Sequence, residues 1–224
     1  MKHLLLLLLL SSSLAFAEEI GSQYQAQAEA GDSRAQYLLA ETWYSSGDDK
    51  RAEIWAEKAA TGGDVDAMAL LSQIKFKHGD YPQAKGLAQQ ATLAGSMPGA
   101  VMLARLLVNT QAGKTDYPQA LALLQKAAEN PEDDAAVDAQ LLLGLIYANG
   151  VEVVQDDVQA ADWFKRSSTL SRTGYAEYCA GKVFQQGENG FIAPNKQKAL
   201  YWLNLSCTEG FDTGCEEFEA LSGE

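Results

Sequence analysis

The chain has 224 residues, 47% of them hydrophobic and 21% charged, with a formal net charge of −13 at pH 7. So acidic a balance excludes nucleic acid, whose phosphates demand Lys and Arg, and argues against anionic membrane surfaces. It suits a chain that stays in solution and attracts a basic protein partner.

Residues 1–17 are the first element. Lys2 and His3 lead into an unbroken leucine run from Leu4 to Leu10, and Ala15-Phe16-Ala17 is a small-x-small cleavage signal. This pattern predicts a secretory signal peptide cut after Ala17, leaving one repeat domain over 18–224. The leucine run is too short to span a bilayer as a helix, and no later stretch approaches about 18 consecutive apolar residues. The expectation is a periplasmic or secreted protein with no membrane insertion, a setting in which disulfides are permissible.

Tyr24 to Ala30 reads as the tail of an incomplete helix pair. A grammar then recurs in which a small residue precedes a leucine position and a second small residue. It runs Ala35, Leu39, Ala40; Ala67, Leu71, Ser72; Gly99, Leu103, Ala104; Ala139, Leu143, Gly144; and Ala176, Ala180, Gly181. The leucine positions are 32, 32, 40 and 37 residues apart, a period that implies a stacked solenoid. Ala35, Leu39 and Trp43 share one helical stripe, as do Ala139, Leu143 and Tyr147. Each first helix is followed by a second marked by Ala52 and Trp55, Ala84 and Leu87, Ala120 and Leu123, Ala160 and Trp163, or Ala199 and Trp202. The four tryptophans are assigned to packing. Gly47, Gly79, Gly113, Gly150 and Gly187 read as helix stops, and the longest loops are Asn130 to Asp134 and Gly187 to Asn195, which hold Pro131 and Pro194. Cys215 to Leu221 reads as a last, unpaired first helix. The predicted fold is all-α, an α/α superhelical solenoid of about five helix pairs with flanking half-repeats.

Chemistry-bearing residues are sparse. Beyond the leader the one histidine is His78, and three cysteines, Cys179, Cys207 and Cys215, cannot make a Cys₄ zinc site. Gly-x-Ser-x-Gly, Walker and dinucleotide fingerprints are absent. The acidic clusters Asp48-Asp49, Glu132-Asp133-Asp134, Asp156-Asp157 and Glu216-Glu217 read as solvated loops and helix-start charges, and Glu132 to Asp134 lacks the ligand spacing of a calcium loop. No catalytic residue, metal or cofactor is expected. Cys207 and Cys215 flank a turn, so their spacing could staple the end of one helix to the start of the next; Cys179 reads as a small buried hydrophobe.

Ala139-Gln140-Leu141-Leu142-Leu143-Gly144-Leu145-Ile146-Tyr147-Ala148-Asn149-Gly150-Val151, continuing through Gln155-Asp156 to Ala160-Ala161-Asp162-Trp163-Phe164-Lys165, resembles a Sel-1-like repeat. Ala176 to Ser206 is similar, with Ala180 in the leucine position and Phe184 in the tyrosine position. The first three repeats lack the Gly-Val loop, and Gly79-Asp80-Tyr81-Pro82-Gln83-Ala84 looks more like the tetratricopeptide cousin. The resemblance implies an α/α superhelix that binds other proteins. The Cys207–Cys215 spacing is similar to inter-helix disulfides of secreted members.

In such superhelices the first helix of each pair lines the concave side. Offsets of −2, +2 and +5 from the leucine position select Tyr37, Glu41 and Tyr44; Ala69, Gln73 and Phe76; Val101, Arg105 and Val108; Leu141, Leu145 and Ala148; and Tyr178, Lys182 and Gln185. Of these, Tyr37, Tyr44, Phe76 and Tyr178 are the expected aromatic anchors, Arg105 and Lys182 the polar hot spots, and Glu41 and Gln73 their polar neighbours. The expected role is an inhibitor or immunity protein against a basic, secreted antibacterial effector. The alternatives are an envelope scaffold or adaptor, and a cell-wall-fragment-binding protein or weak hydrolase.

Overall fold

The structure, a computed structural model, describes residues 24–129, 134–168 and 174–223. The leader at 1–17 and the Pro131 to Asp133 part of the acidic loop lie outside the described residues. The helices are α1 (24–29), α2 (Ser33–Ser45), α3 (Asp49–Thr61), α4 (Val65–Lys77), α5 (Tyr81–Leu93), α6 (Met97–Val108), α7 (Tyr117–Ala128), α8 (Asp134–Asn149), α9 (Asp157–Ser168), α10 (Tyr175–Gln186), α11 (Lys196–Thr208) and α12 (Asp212–Ser222). Among the described residues there is no β-sheet, only one antiparallel bridge between Glu188 and Ile192. The fold is an all-α solenoid of about five helix pairs, α2/α3 through α10/α11, with α1 and α12 as the flanking halves. Two compact units meet in sequence within α6, the first ending at Met102 and the second beginning at Leu103.

The first unit is built on one turn used repeatedly. Gly31, Gly47, Gly63, Gly79 and Gly95 have φ between 80° and 95°, and the next residue is Asp32, Asp48, Asp64, Asp80 or Ser96. The backbone N–H of that residue donates back to the carbonyl five residues earlier, as from Asp48 to Trp43 at 2.9 Å and from Asp64 to Ala59 at 3.0 Å. Its side chain accepts from the N–H three residues on, at Ala35, Arg51, Ala67, Gln83 and Gly99 respectively. One residue thus closes the preceding helix in a Schellman bond and caps the next. A Cβ on Gly47 would meet nothing within 4 Å, so glycine is required there by the left-handed backbone and not by space. These turns recur every sixteen residues, half the 32-residue repeat, and α2, α3, α4 and α5 are each 13 residues long.

Packing in this unit is asymmetric. The buried residues of α3 and α5 are alanines only: Ala52, Ala56 and Ala59, then Ala84, Ala88 and Ala91, all fully buried. The first helices supply the bulk, with Leu39 and Trp43 on α2 and Leu71 and Ile74 on α4. Small faces let the backbones approach, so the gap between helices is filled from one side.

In the second unit both helices of a pair supply bulk, with Leu142, Leu143 and Ile146 on α8 and Phe184 on α10 fully buried, and glycines on the first helices make room for large side chains of the second. A Cβ on Gly144 of α8 would lie 2.3 Å from the Phe164 ring of α9, and one on Gly181 of α10 would lie 2.6 Å from Leu203 of α11. Phe164 and Trp202 meet edge-to-face at 4.9 Å. Connections other than α11–α12 are longer than in the first unit. α6 ends at Val108, earlier than the Gly113 stop read from sequence, because Asn109 caps a 3₁₀ turn over Thr110–Ala112. The Cys207–Cys215 disulfide ties the end of α11 to the start of α12, with Cα atoms 4.5 Å apart. Cys179 is free and half-buried; burial raises its pKa, against a hydrogen bond with Tyr175 that lowers it.

Two glycines with opposite environments test this packing. Gly144→Ala is expected to cost about 1–3 kcal/mol, because the new methyl must displace a buried ring. Gly86→Ala, in α5 with nothing within 4 Å of its Cβ, is expected to stabilise by about 0.5–1 kcal/mol. Urea unfolding of both variants and the wild type reads each change.

Candidate interaction surface

On α2 and α4, Glu41 and Gln73 are exposed, and Tyr37, Tyr44 and Phe76 are half-buried, with Tyr37 and Tyr44 packed against the core of the first unit. Glu41 and Gln73 hold the same repeat position, as do Tyr44 and Phe76, on helices that touch. The structure therefore brings these five sequence-selected residues onto adjoining first helices. Each aromatic is braced. The Tyr37 hydroxyl donates to Glu41 at 3.1 Å, and the Arg34 guanidinium lies 4.5 Å from the Tyr37 ring. Burial, reinforced by Glu41, pushes the Tyr37 pKa well above the ordinary phenol value. Lys77 stands 5.5 Å from the Tyr44 ring, and Phe76 packs edge-to-face on Tyr81 at 5.5 Å.

A charge ladder lies beside this face. Lys77 pairs with Asp49 at 2.7 Å, Lys75 with Glu53 and Glu57, and the His78 ring nitrogens stand 3.7 Å from Asp49 and from Glu53. An open cleft of 670 Å³ is lined by Ser46, Gly47, Asp48, Asp49, Lys50, Glu53 and His78. Among the described residues no group of three or more His, Cys, Asp or Glu is placed to hold a metal ion. Asp48 and Asp156 are helix caps, as a helix-start reading of the acidic pairs expects.

The same offsets also select covered positions, on α4 itself and beyond. Ala69, Val101, Val108, Leu145 and Ala148 are buried and present nothing to a ligand. In the second unit Arg105 pairs with Glu188 at 2.8 Å and Lys182 with Glu217 at 2.9 Å, every partner partly shielded from solvent. Tyr178 sits in an aromatic cluster, 5.3 Å from Phe211 and 6.2 Å from Tyr175. These three expected hot spots are engaged within the chain. Trp43 and Trp202 are core, while Trp55 and Trp163 are half-exposed and carry Lys58 at 3.9 Å and Arg166 at 4.7 Å over their rings.

Sequence reasoning missed the loop after α10. Glu188 and Ile192 exchange backbone hydrogen bonds of 2.8 and 2.9 Å, and the carbonyls of 189, 190 and 191 accept from Asn109, Thr110 and Asn149. This segment of the fifth helix pair thus reaches the third, past its neighbour. The signal was present: Asn109 and Asn149 each stand six residues beyond a leucine position. Lys198 adds to the junction by donating to the carbonyls of Ala148 at 2.6 Å and Asn149 at 2.9 Å, and burial holds its pKa below the ordinary lysine value.

Paired helices of this grammar, braced aromatics on first helices and a terminal disulfide define a helical-repeat scaffold. The Sel1 repeat pattern matches residues 33–64, 102–131, 137–171 and 174–211. The chain is 62% identical to the Sel1-repeat-containing protein YjcO of Escherichia coli K12, with 99% of each chain covered. A solved Sel1 repeat protein from Klebsiella pneumoniae is 65% identical, with a TM-score of 0.87 over 90% of this chain and 99% of that one. A Sel1 repeat protein from Oxalobacter formigenes, 20% identical over 93% of this chain and 90% of that one, shares the fold with a TM-score of 0.57. The chain belongs to the Sel1 repeat family and is a protein–protein interaction scaffold.

One buried group in α10 gives a pH-dependent test. Glu177 is 4% exposed, and its Oε2 has no hydrogen-bond partner among the described residues. Burial raises its pKa, a bond to its own backbone N–H lowers it, and Glu209 raises it further. A carboxyl harder to ionise when folded contributes fully below its unfolded pKa of about 4.3, and that contribution is lost as pH rises through the folded value. Glu177→Gln is therefore expected to melt higher than wild type at pH 7.5, with the gap closing towards pH 4. A gap that widens on acidification counts against the assignment.

Proposed function

We propose that this scaffold acts outside the cytoplasm and holds one protein partner on the α2–α4 face. The observation that carries the surface is the pairing of braced, half-exposed aromatics with exposed polar residues at equivalent positions of touching helices: Tyr37, Glu41 and Tyr44 beside Gln73 and Phe76. Aromatics already fixed by neighbours lose little freedom on binding, which is what an interface anchor needs. Export is supported by the leader pattern in residues 1–17 and by the Cys207–Cys215 disulfide, a bond that persists in oxidising compartments. An inhibitor of a secreted antibacterial effector fits the acidic charge. The acidic chain would draw in a basic effector and block it by occupancy alone.

The test is a photo-crosslinker in place of Tyr44 in the exported chain, with captured protein identified by mass spectrometry. One stoichiometric species is expected, and Phe76→Ala should weaken its binding by about thirtyfold, as for a hot spot of roughly 2 kcal/mol. If that species kills cells lacking this chain, the inhibitor role holds; if it is a harmless envelope component, the role is that of a scaffold. Equal capture from a crosslinker at exposed Leu93 would show that the α2–α4 face is not the site.

A further inference from the structure

Three first helices carry a polar residue three positions before the leucine position: Gln36 on α2, Gln140 on α8 and Glu177 on α10. The second and third repeats have Met68 and Ala100 there. All three polar side chains are buried. The two glutamines act alike. Gln36 Nε2 donates to the Ala28 carbonyl at 2.9 Å and Gln140 Nε2 to the Ala128 carbonyl at 3.2 Å, so each satisfies an end carbonyl of the helix before it. Ala128 closes α7 twelve residues after its Asp116 cap, and Ser168 closes α9 twelve residues after its Asp156 cap. By that correspondence the acceptor belonging to the Glu177 slot is the Ser168 carbonyl.

A carboxylate has no hydrogen to give a carbonyl. One Glu177 oxygen accepts from the residue's own backbone N–H, and the other, Oε2, is buried without a partner among the described residues. Buried polar atoms are rarely left so, and a proton on Oε2 resolves the mismatch. We propose that Glu177 fills the slot as a neutral acid whose O–H donates to the Ser168 carbonyl, which makes the α9–α10 seam a proton-operated latch, closed when the acid is protonated and loosened when it ionises.

The surroundings favour the neutral form. Burial raises the Glu177 pKa most, and the bond to its own N–H, which lowers it, is opposed by Glu209 from the turn before α12. On α10 itself Tyr175 and Cys179 bond to each other, and Lys182 pairs with Glu217 at 2.9 Å. On α9 Lys165 is exposed, Arg166 pairs with Asp162 at 2.8 Å, and the buried Ser167 hydroxyl donates to the Phe164 carbonyl. The latch joins α9 to a block that is tied together by Ser206 Oγ on the Gly174 carbonyl at 2.7 Å, by Lys182–Glu217 and by the Cys207–Cys215 disulfide. The Phe164–Trp202 ring contact keeps that block seated on α9, so ionisation loosens the seam while the helices stay folded. Because folding favours the neutral acid, its contribution is complete below the unfolded pKa of about 4.3 and is lost as pH rises through the folded value. The last helix pair is therefore tightest in acid.

The full chain is titrated with its side-chain carboxyls followed by carbon NMR, and Glu177→Gln assigns the resonance. Glu177 is expected to keep its proton above the pH at which the exposed glutamates ionise. Hydrogen exchange, corrected for its chemical pH dependence, reads the seam. The Tyr178 amide, which donates to the Gly174 carbonyl at 3.1 Å, should gain up to about tenfold in protection per pH unit of acidification. In Glu177→Gln it should be well protected at every pH. Gln140→Glu copies the arrangement into the α7–α8 seam and should bring acid-dependent protection with it; if that variant does not fold, Gln36→Glu at the α1–α2 seam takes its place. Titration of Glu177 together with the exposed glutamates overturns the proposal. So does pH-independent protection of Tyr178 in the wild type, or an acid-dependent gain that survives in Glu177→Gln.

Discussion

A three-residue joint governs the first unit. The joint contains a residue still in helical geometry, a glycine at φ near 80–95°, and a capping Asp or Ser. Because the same joint serves both the first-to-second and the second-to-first connection, helix length and phase are locked together. Four helices of 13 residues result, each about 20 Å long at 1.5 Å per residue, so the alanine faces of α3 and α5 stay opposite the bulky faces of α2 and α4 along their whole length. A residue inserted within one of these helices would rotate all that follows in it by about 100° relative to its packing stripe. The all-alanine faces are tolerable only because the joint keeps that phase.

Except between α11 and α12, where Gly210 has φ 90° and the Phe211 N–H donates to the Ser206 carbonyl at 3.1 Å, the second unit gives up the fixed joint and satisfies its helix ends by other means. The last carbonyls of α8 receive the Lys198 ammonium from α11, a half-buried cation at the negative end of a helix dipole. Asn109 caps a 3₁₀ turn through its oxygen while its amide reaches the segment after α10. Longer connections thus become partners for groups that a tight turn would have satisfied locally. They also absorb the charges: Arg105–Glu188 and Lys182–Glu217 are partly shielded, and removing one member of such a pair leaves its partner to face a poorer solvent than water.

Helix pairs, half-repeats and the disulfide were legible in the sequence because each has a local signature, such as small residues at i and i+4 or cysteines flanking a turn. The α2–α4 part of the candidate face was legible for the same reason, since equal 32-residue repeats put equal offsets on equal faces. The offsets failed at Val101, Val108 and Ala148 because they give a side chain's direction from its own helix axis and say nothing of what covers it. α8 is buried on nearly every side, so no offset reads as a surface there. Arg105 and Lys182 were selected for charge, and the glutamates that claim them lie far along the chain, where no local pattern points. The Gly-Asp joints at 31–32, 47–48, 63–64 and 79–80 carried a readable sixteen-residue period that a search for whole 32-residue repeats passes over.

The two units therefore present protein chemistry in different states of readiness. On α2 and α4 the anchors are braced by an ion, a hydroxyl bond or a ring, yet keep exposed area, which lowers the entropy lost on binding without covering the surface. In the second unit the groups best suited to hold a peptide backbone are already hydrogen-bonded to residues 188–192. Those groups are already engaged by the chain itself, whereas the aromatics of α2 and α4 keep area free for the contact proposed there.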